Sequence, residues 1–349
     1  MNRNMVFEYD KNQTIIARIL IPLMIHYLNS FPRGMENYNF KKGLFYSIIG
    51  AFLIGLQPVI ANSRPVSIDA YIFGAVTALL EAIIFLPIYL VERKKLKSLW
   101  NNSQQNNRYY LLLHGWKKKN NLILFIIIGI GFTFIPVLLY IGYALAGAIN
   151  SSLASKSEII FALIFGYLVL KEKINKFQII FCLVLFFGLI LAVTQGSLDL
   201  LELNLGVIII ISTVALFTII HTLTKISLEK NEIFSSQVVF IRNLLSGVLL
   251  ISTYFIFFPL NNVSILLAPA NYVYFILMGL DYGFSLFTWY KALTYFQIGR
   301  TTIVGSLTPI VTAFFSLLFL NETFTIFHLL GTIIIIFAII MIIRVKPDK

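Results

Sequence analysis

Five ionisable residues stand inside apolar stretches long enough to cross a bilayer: Glu81, Lys156, Glu158, Arg242 and Asp281. A charge at membrane depth costs ~2.5–3.5 kcal/mol for Arg, Lys or Asp on insertion scales, so each needs a partner, a wet cavity or a route to the interface. The mixed signs suit recognition of a solute that carries both charges, and a buried carboxyl such as Asp281 or Glu158 can hold and release a proton. The competing reading is that the five pair among themselves and only hold a bundle together. Asp281 lies about nine residues into its stretch, or ~13 Å at 1.5 Å per residue, close to the midplane. Lys156 and Glu158 are two residues apart and point ~200° from each other on a regular helix. That spacing predicts one on a cavity and the other against a neighbouring helix. Ser152, Ser155 and Lys156 make a continuous polar strip, which assigns the cavity to Lys156 and leaves Glu158 to pair elsewhere, with Arg242 as a partner.

Aromatic residues add a second layer. Tyr140, Tyr143 and Tyr282 can flank an organic solute or stack over a cation. Trp289 and Tyr290 fall near the end of their stretch and read as part of an interfacial aromatic belt. Gln57–Pro58 either lines a cavity or kinks its helix, and Lys225, one turn after His221, can snorkel to water. Covalent chemistry finds no support. The chain has no HExxH, no Gly-Lys-Ser/Thr phosphate loop, no CxxC pair and no Gly-x-Ser-x-Gly elbow. Four histidines and one cysteine make no convincing metal cluster, so neither an enzyme nor a cofactor or metal is expected.

The elements that position these groups follow from composition. Hydrophobic residues make up 58% of the 349 and charged residues 12%, with mean hydropathy +0.87. So much apolar surface requires lipid as solvent. A crossing helix takes ~20 apolar residues. Ten stretches qualify: 43–62, 70–91, 121–142, 149–170, 177–195, 205–225, 235–258, 272–291, 301–320 and 326–344. Residues 15–28 are too short to cross, being interrupted by Arg18, Pro22 and His26, and read as an interfacial helix within a cytoplasmic segment 1–42. The polar start MNRNMVFEYDKNQ does not resemble a cleaved signal peptide. Of the 27 Lys and Arg, all but three fall in the termini and one set of alternate loops; Arg64 is on the opposite side, and Lys156 and Arg242 are within stretches. Positive residues mark the cytoplasmic side, so both termini are expected there, in the plasma membrane of the cell. The net charge of +12 then reports topology and attraction to anionic lipid headgroups, above all from the basic loop 92–120, and implies no nucleic-acid partner. Cys182 is the single cysteine, so no disulfide forms within the chain.

The chain also repeats itself. A shift of 150 residues places Ser151–Val193 on Thr301–Ile343 without a gap, setting Glu172 on Glu322, Phe165 on Phe315, Leu168 on Leu318, Leu170 on Leu320 and Phe177 on Phe327. Five crossings per copy is an odd number, so the second copy enters the membrane upside down. Inverted repeats generate two related conformations open to opposite sides, with a binding site near the midplane.

The stretch from Ala292, ALTYFQIGRTTIVGSLTPIVTAFFSLLFLNETFTIFHLLGTIIIIFAIIMI, resembles the signature of EamA-type proteins of the drug/metabolite transporter superfamily. Its marks are small and polar residues, Pro309, a bulky helix, Leu320-Asn321-Glu322 and a helix bearing Gly331. The first half matches in ALAGAINSSLASKSEIIFALIFGYLVLKEKI, with Glu172, but has Ile159 and Phe181 in place of the proline and glycine; Gly188 keeps a small position. The resemblance implies an all-α polytopic membrane protein of ten transmembrane helices in two inverted five-helix repeats, 43–195 and 205–344, with a cytoplasmic tail at 345–349. It implies a permease for a small metabolite, amino-acid-like or another organic solute, bound chiefly between helices 2, 3, 4, 7, 8 and 9. A homodimer is compatible with this reading; a lipid flippase, a scramblase or a non-transporting scaffold is the alternative. Arg300 with Lys156 is loosely similar to the basic residues of the superfamily's sugar-phosphate branch. Glu172 and Glu322 are expected to cap the helices that follow them, and Pro309, Gly331 and Gly188 to serve bending and close helix approach.

Overall fold

The computed structural model describes residues 37–102, 107–171, 174–198, 204–295, 301 and 304–344. The expected interfacial helix at 15–28, the tail 345–349, Glu172 and Arg300 lie outside the described residues. The chain divides into two units, Met1–Lys41 and Lys42–Lys349, and all the packing that follows belongs to the second.

Among the described residues every regular element is helical. The helices are α1 (Asn37–Ser63), α2 (Ala70–Asn102), α3 (Asn107–His114), α4 (Lys119–Ala146), α5 (Ala148–Ala154), α6 (Glu158–Leu170), α7 (Lys176–Val193), α8 (Leu205–Glu229), α9 (Ser235–Phe257), α10 (Tyr272–Tyr295), α11 (Thr308–Phe319) and α12 (Ile326–Arg344). The bilayer offers no partner to a free N–H or C=O, so an apolar segment there must close its own hydrogen bonds. Among the described residues seven helices are long and apolar enough to cross, counting α5 and α6 together as Ala148–Val169, and Thr308–Phe319 and Ile326–Ile342 are shorter apolar helices. Side chains spaced by three or four residues, such as Ile123, Ile126, Ile130 and Phe134 on α4, stay exposed and form a lipid-facing stripe.

Polar residues punctuate these helices where their spans begin. Asp69 Oδ1 accepts from the backbone N–H of Tyr71 and Ile72, at 2.8 and 2.9 Å, and starts α2. Asn204 accepts from Gly206 N–H at 2.7 Å and starts α8. Both replace orphan partners of a first turn.

Packing follows the duplicated order. α2 lies against α9 and α7 against α12, each pair joining equivalent helices of the two halves; α4 lies against α9 as α10 lies against α2. Gly188 and Gly331 bring α7 and α12 together. A Cβ on Gly331 would meet Gly188 O at 2.5 Å and Ala192 Cβ at 2.6 Å, so neither backbone could approach as it does with a side chain there.

Three elements differ from the sequence expectation. The basic stretch 92–120 is largely helical, because α2 runs on through Glu92-Arg-Lys-Lys-Leu-Lys to Asn102, residues of good helix propensity that need no burial. The stretch 149–170 is interrupted by a 3₁₀ turn at Ser155–Ser157. Pro309 starts a helix rather than bending one. It sits in the first turn of α11, where its missing N–H would have had no partner.

Candidate functional site

The site grows from two helix breaks. Hydroxyl-rich sequence at 151–157 competes for the backbone: Ser155 Oγ donates to Ser151 O at 2.8 Å. α5 gives way there to the 3₁₀ turn, and α6 resumes at Glu158. In the second half, turn residues Ser306 and Leu307 separate Gly305 from α11. These are the same positions under the 150-residue shift. The breaks touch: Lys156 Nζ donates to Gly305 O at 2.8 Å, and Thr308 Oγ1 donates to the same carbonyl at 2.9 Å. The Gly305 carbonyl, held by these two side chains, borders a cavity, the condition under which irregular backbone is tolerated in lipid.

That cavity admits water-sized molecules throughout about 120 Å³. One water needs ~10–15 Å³ on that measure, so the space suits a solute of several heavy atoms. Its polar lining is Gln57 of α1, Tyr143 of α4, Ser155, Lys156 and Glu158 at the first break, His221 of α8, Tyr282, Ser285 and Trp289 of α10, and Thr308 of α11. Phe132, Phe217, Leu139 and Ile159 supply apolar wall. Gln57 Nε2 donates to Ser285 Oγ at 2.8 Å, which fixes one side. His221 stacks on Tyr290 at 5.6 Å and meets Phe132 and Phe217 at 5.8 and 5.5 Å, which fixes the other.

A second polar group lies outside this lining. Glu81 Oε2 accepts from Asn243 Nδ2 at 2.6 Å and from Arg242 Nη2 at 3.3 Å, while Arg242 Nε donates to Asn243 Oδ1 at 2.9 Å. The guanidinium lies over Phe132 at 4.3 Å and Tyr282 at 5.2 Å. This cluster ties α2 to α9. Asp281 is 5% exposed; neither of its carboxyl oxygens has a well-formed hydrogen bond, and the Gln57 amide is within electrostatic reach.

The structure thus distributes the candidates differently from the sequence expectation. Lys156, Glu158, Ser155 and Tyr282 face the cavity; Ser152, Tyr140, Glu81, Arg242 and Asp281 are buried beside it or behind its wall. Lys156 and Glu158 were expected on opposite faces, but both line the cavity, because the 3₁₀ turn ends the regular 100° rotation between them. Arg242 pairs with Glu81 and not with Glu158. Helices α1 and α8 contribute to the lining in place of α2 and α9, which are occupied with each other. Trp289 faces the cavity instead of an interfacial belt, and Tyr290 is fully buried under His221. His221 is the residue that the sequence undervalues; its signal is an imidazole among the threonines Thr218, Thr222 and Thr224 within an apolar stretch.

The acidic turn has a firm structural role. Glu322 Oε1 accepts from Ala148 N–H at 2.7 Å and Oε2 from Ile149 N–H at 3.0 Å. It caps α5, a helix of the other half, and not the helix that follows it. Gly147, at φ 79°, makes the turn into α5 and leaves room for that carboxylate, which a Cβ would approach to 3.1 Å.

The profile of the EamA-like transporter family matches residues 41–194 and again residues 204–344. The chain belongs to this family. Its double match covers both copies of the repeat, and it makes the protein an integral membrane transporter of small solutes. Among curated proteins none matches the sequence significantly. A crystal structure of a protein 10% identical in sequence shares the fold, with a TM-score of 0.60 over 86% of this chain and 96% of that one.

Proposed function

We propose that this EamA-family protein carries a small zwitterionic metabolite, amino-acid-like in its charges, across the plasma membrane by alternating access between two inverted five-helix halves. The observation that carries the reading is that Lys156 and Glu158 both line the cavity, at the contact between two helix breaks. A carboxylate on the solute satisfies the ammonium, an amine satisfies the carboxylate, and Tyr143, Tyr282 and Trp289 enclose the remainder. Small organic anions rank second and lipophilic cations third, since each uses only half of that pair.

Ten membrane helices support this architecture better than any smaller number, because the seven long helices, α10 and the two shorter ones follow the order 1–5 and 6–10 of the duplicated sequence. Rocking of one half on the other would separate the two breaks and alternate the opening. The Lys- and Arg-rich ends then lie in the cytoplasm with both termini, against anionic headgroups. Asp281, buried beside the cavity, supplies a carboxyl for proton coupling. Asp281→Asn should then remove dependence of transport on a pH gradient while leaving exchange of bound solute intact.

A ligand-stability screen on purified protein tests the reading, using amino acids, sugar phosphates, nucleotide sugars and organic cations. A native ligand at ~100 times its dissociation constant stabilises by ~2.7 kcal/mol. An amino acid that stabilises the protein and loses its effect in Lys156→Ala and Glu158→Gln supports the proposal. Stabilisation by lipids alone, unchanged in Lys156→Ala, would move the protein to lipid handling.

A further inference from the structure

The two halves begin their last helices with the same device built from different residues. In the first half Asn175 caps α7: its side chain accepts from Phe177 N–H at 2.8 Å, and its own backbone N–H donates to Gln178 Oε1 at 2.9 Å. In the second half, 150 residues later, Thr325 and His328 take those places at the start of α12. Thr325 N–H donates to His328 Nδ1 at 3.2 Å, and His328 N–H donates to Thr325 Oγ1 at 3.3 Å. Each is a reciprocal capping box with an acceptor at its third helical position. Only the second acceptor can be protonated.

The hydrogen bonds set a donor against each ring nitrogen of His328: the Thr325 N–H faces Nδ1 at 3.2 Å and the Gln195 Nε2 amide faces Nε2 at 2.9 Å. A neutral ring can accept on one side while its single proton occupies the other. Nε2 lies 3.1 Å from Asn150 Oδ1, an acceptor, on α5. Gln195 Nε2 also donates to Ala192 O at 2.8 Å, which orients the amide, and Gln195 Oε1 accepts from Thr325 Oγ1 at 2.6 Å. His328 is 6% exposed and stacks on Phe324 at 5.6 Å. The cluster therefore joins the start of α12, the end of α7 and the start of α5, at the end of the bundle poor in Lys and Arg. Charged neighbours do not compete for the ring. Among the described residues α5 and the end of α7 carry no ionisable group, and Glu322, in the same turn as Thr325, is committed to Ala148 and Ile149.

We infer that His328 is a proton-responsive latch on this face of the transporter, closed when its imidazole is neutral. A second proton makes both ring nitrogens donors, so neither the Thr325 N–H nor the Gln195 amide finds an acceptor on the ring and the capping bond is lost. The opposite face has Gln178 in the same place and does not respond. Acidity on the Lys- and Arg-poor side would thereby loosen α12 from α5 and α7, whatever solute the cavity takes. The sign is set by the geometry: the latch holds at high pH, where the ring is neutral, and is released as pH falls.

Hydrogen exchange on the full-length protein in nanodiscs tests this, stepped from about pH 8 down to about pH 3 so that a buried imidazole is carried through its titration. After correction for intrinsic rates, amides of Thr325–Leu329 and Ala148–Ser152 should exchange faster at low pH, by about two- to thirtyfold, as for loss of a cap. His328→Gln should keep protection at all pH values, since an amide oxygen serves as acceptor in the first half. Gln178→His should transfer the response to residues 175–179, and this variant reads the idea even where His328→Gln disturbs folding. The same acid response in His328→Gln as in the wild type, or no response in either the wild type or Gln178→His, would overturn the inference.

Discussion

Separating Arg242 from Glu81 should damage this protein more than removing both charges. Arg242 is 1% exposed; its guanidinium is held between Phe132 and Tyr282 and donates to Glu81 and Asn243. Stripping one partner from a buried ion pair costs ~3–5 kcal/mol, because the other charge is left without compensation. Arg242→Met falls in that range: Glu81 keeps only the Asn243 amide. Glu81→Gln falls somewhat lower, since the two aromatic faces continue to offset the cation by ~0.5–2 kcal/mol. The double variant leaves an amide facing the Asn243 amide, with no charge to solvate, and should cost ~2 kcal/mol or less by the same reasoning. The coupling energy then lies at or above the upper end of the ~0.5–3 kcal/mol seen for contacting residues. Equilibrium unfolding in mixed micelles, run as a double-mutant cycle, measures it. Additivity of the two single changes within ~0.5 kcal/mol would refute the argument, for it would mean that water or lipid headgroups already solvate both charges.

Other outcomes follow from the same contacts. Glu322→Ala should cost ~1–3 kcal/mol by leaving the buried Ala148 and Ile149 amides without acceptors, and Glu322→Gln less, as thermal unfolding would show. Gly331→Ala should separate α7 from α12 and destabilise by ~1–3 kcal/mol, since the added carbon meets Gly188 O at 2.5 Å. Between α8 and α9, the hydrogen bond from Lys118 holds the Glu232 carboxyl below its ordinary range, with Asn121 assisting. A lowered carboxyl value means that this tie is complete at neutral pH and is lost as pH falls through that value. Hydrogen exchange at Gly115–Asn121 should accordingly rise in acid, and the rise should vanish in Glu232→Gln.

The sequence was informative where hydropathy and periodicity carry the physics. The apolar stretches, the duplicated order and the family signature could all be read from residue types, because a bilayer leaves an apolar segment few alternatives to a helix. Side-chain direction was less accessible. The opposite facing expected for Lys156 and Glu158 assumes unbroken 3.6-residue rotation, and the 3₁₀ turn at Ser155–Ser157 breaks it. Arg242 and Glu81 lie 161 positions apart, and only the packing of α2 on α9 reveals that they meet. Trp289 looked like belt because end-of-helix position is the usual signal for it, whereas α10 turns that face inward. Glu322 is expected from the sequence to cap the helix that follows it; its target on α5 instead required the fold. His221 and His328 carried little sequence signal, since a single imidazole in a polar turn or an apolar helix has many roles.

The most direct measurement is solute counterflow in proteoliposomes, with radiolabelled neutral amino acids taken up against an internal pool of the same compound. Saturable exchange is expected for the wild type and is abolished in Lys156→Ala and in Glu158→Gln, with both variants still folded and inserted. Exchange that persists in both variants, or lipid translocation without any solute exchange, would contradict a zwitterion site at the meeting point of the two helix breaks.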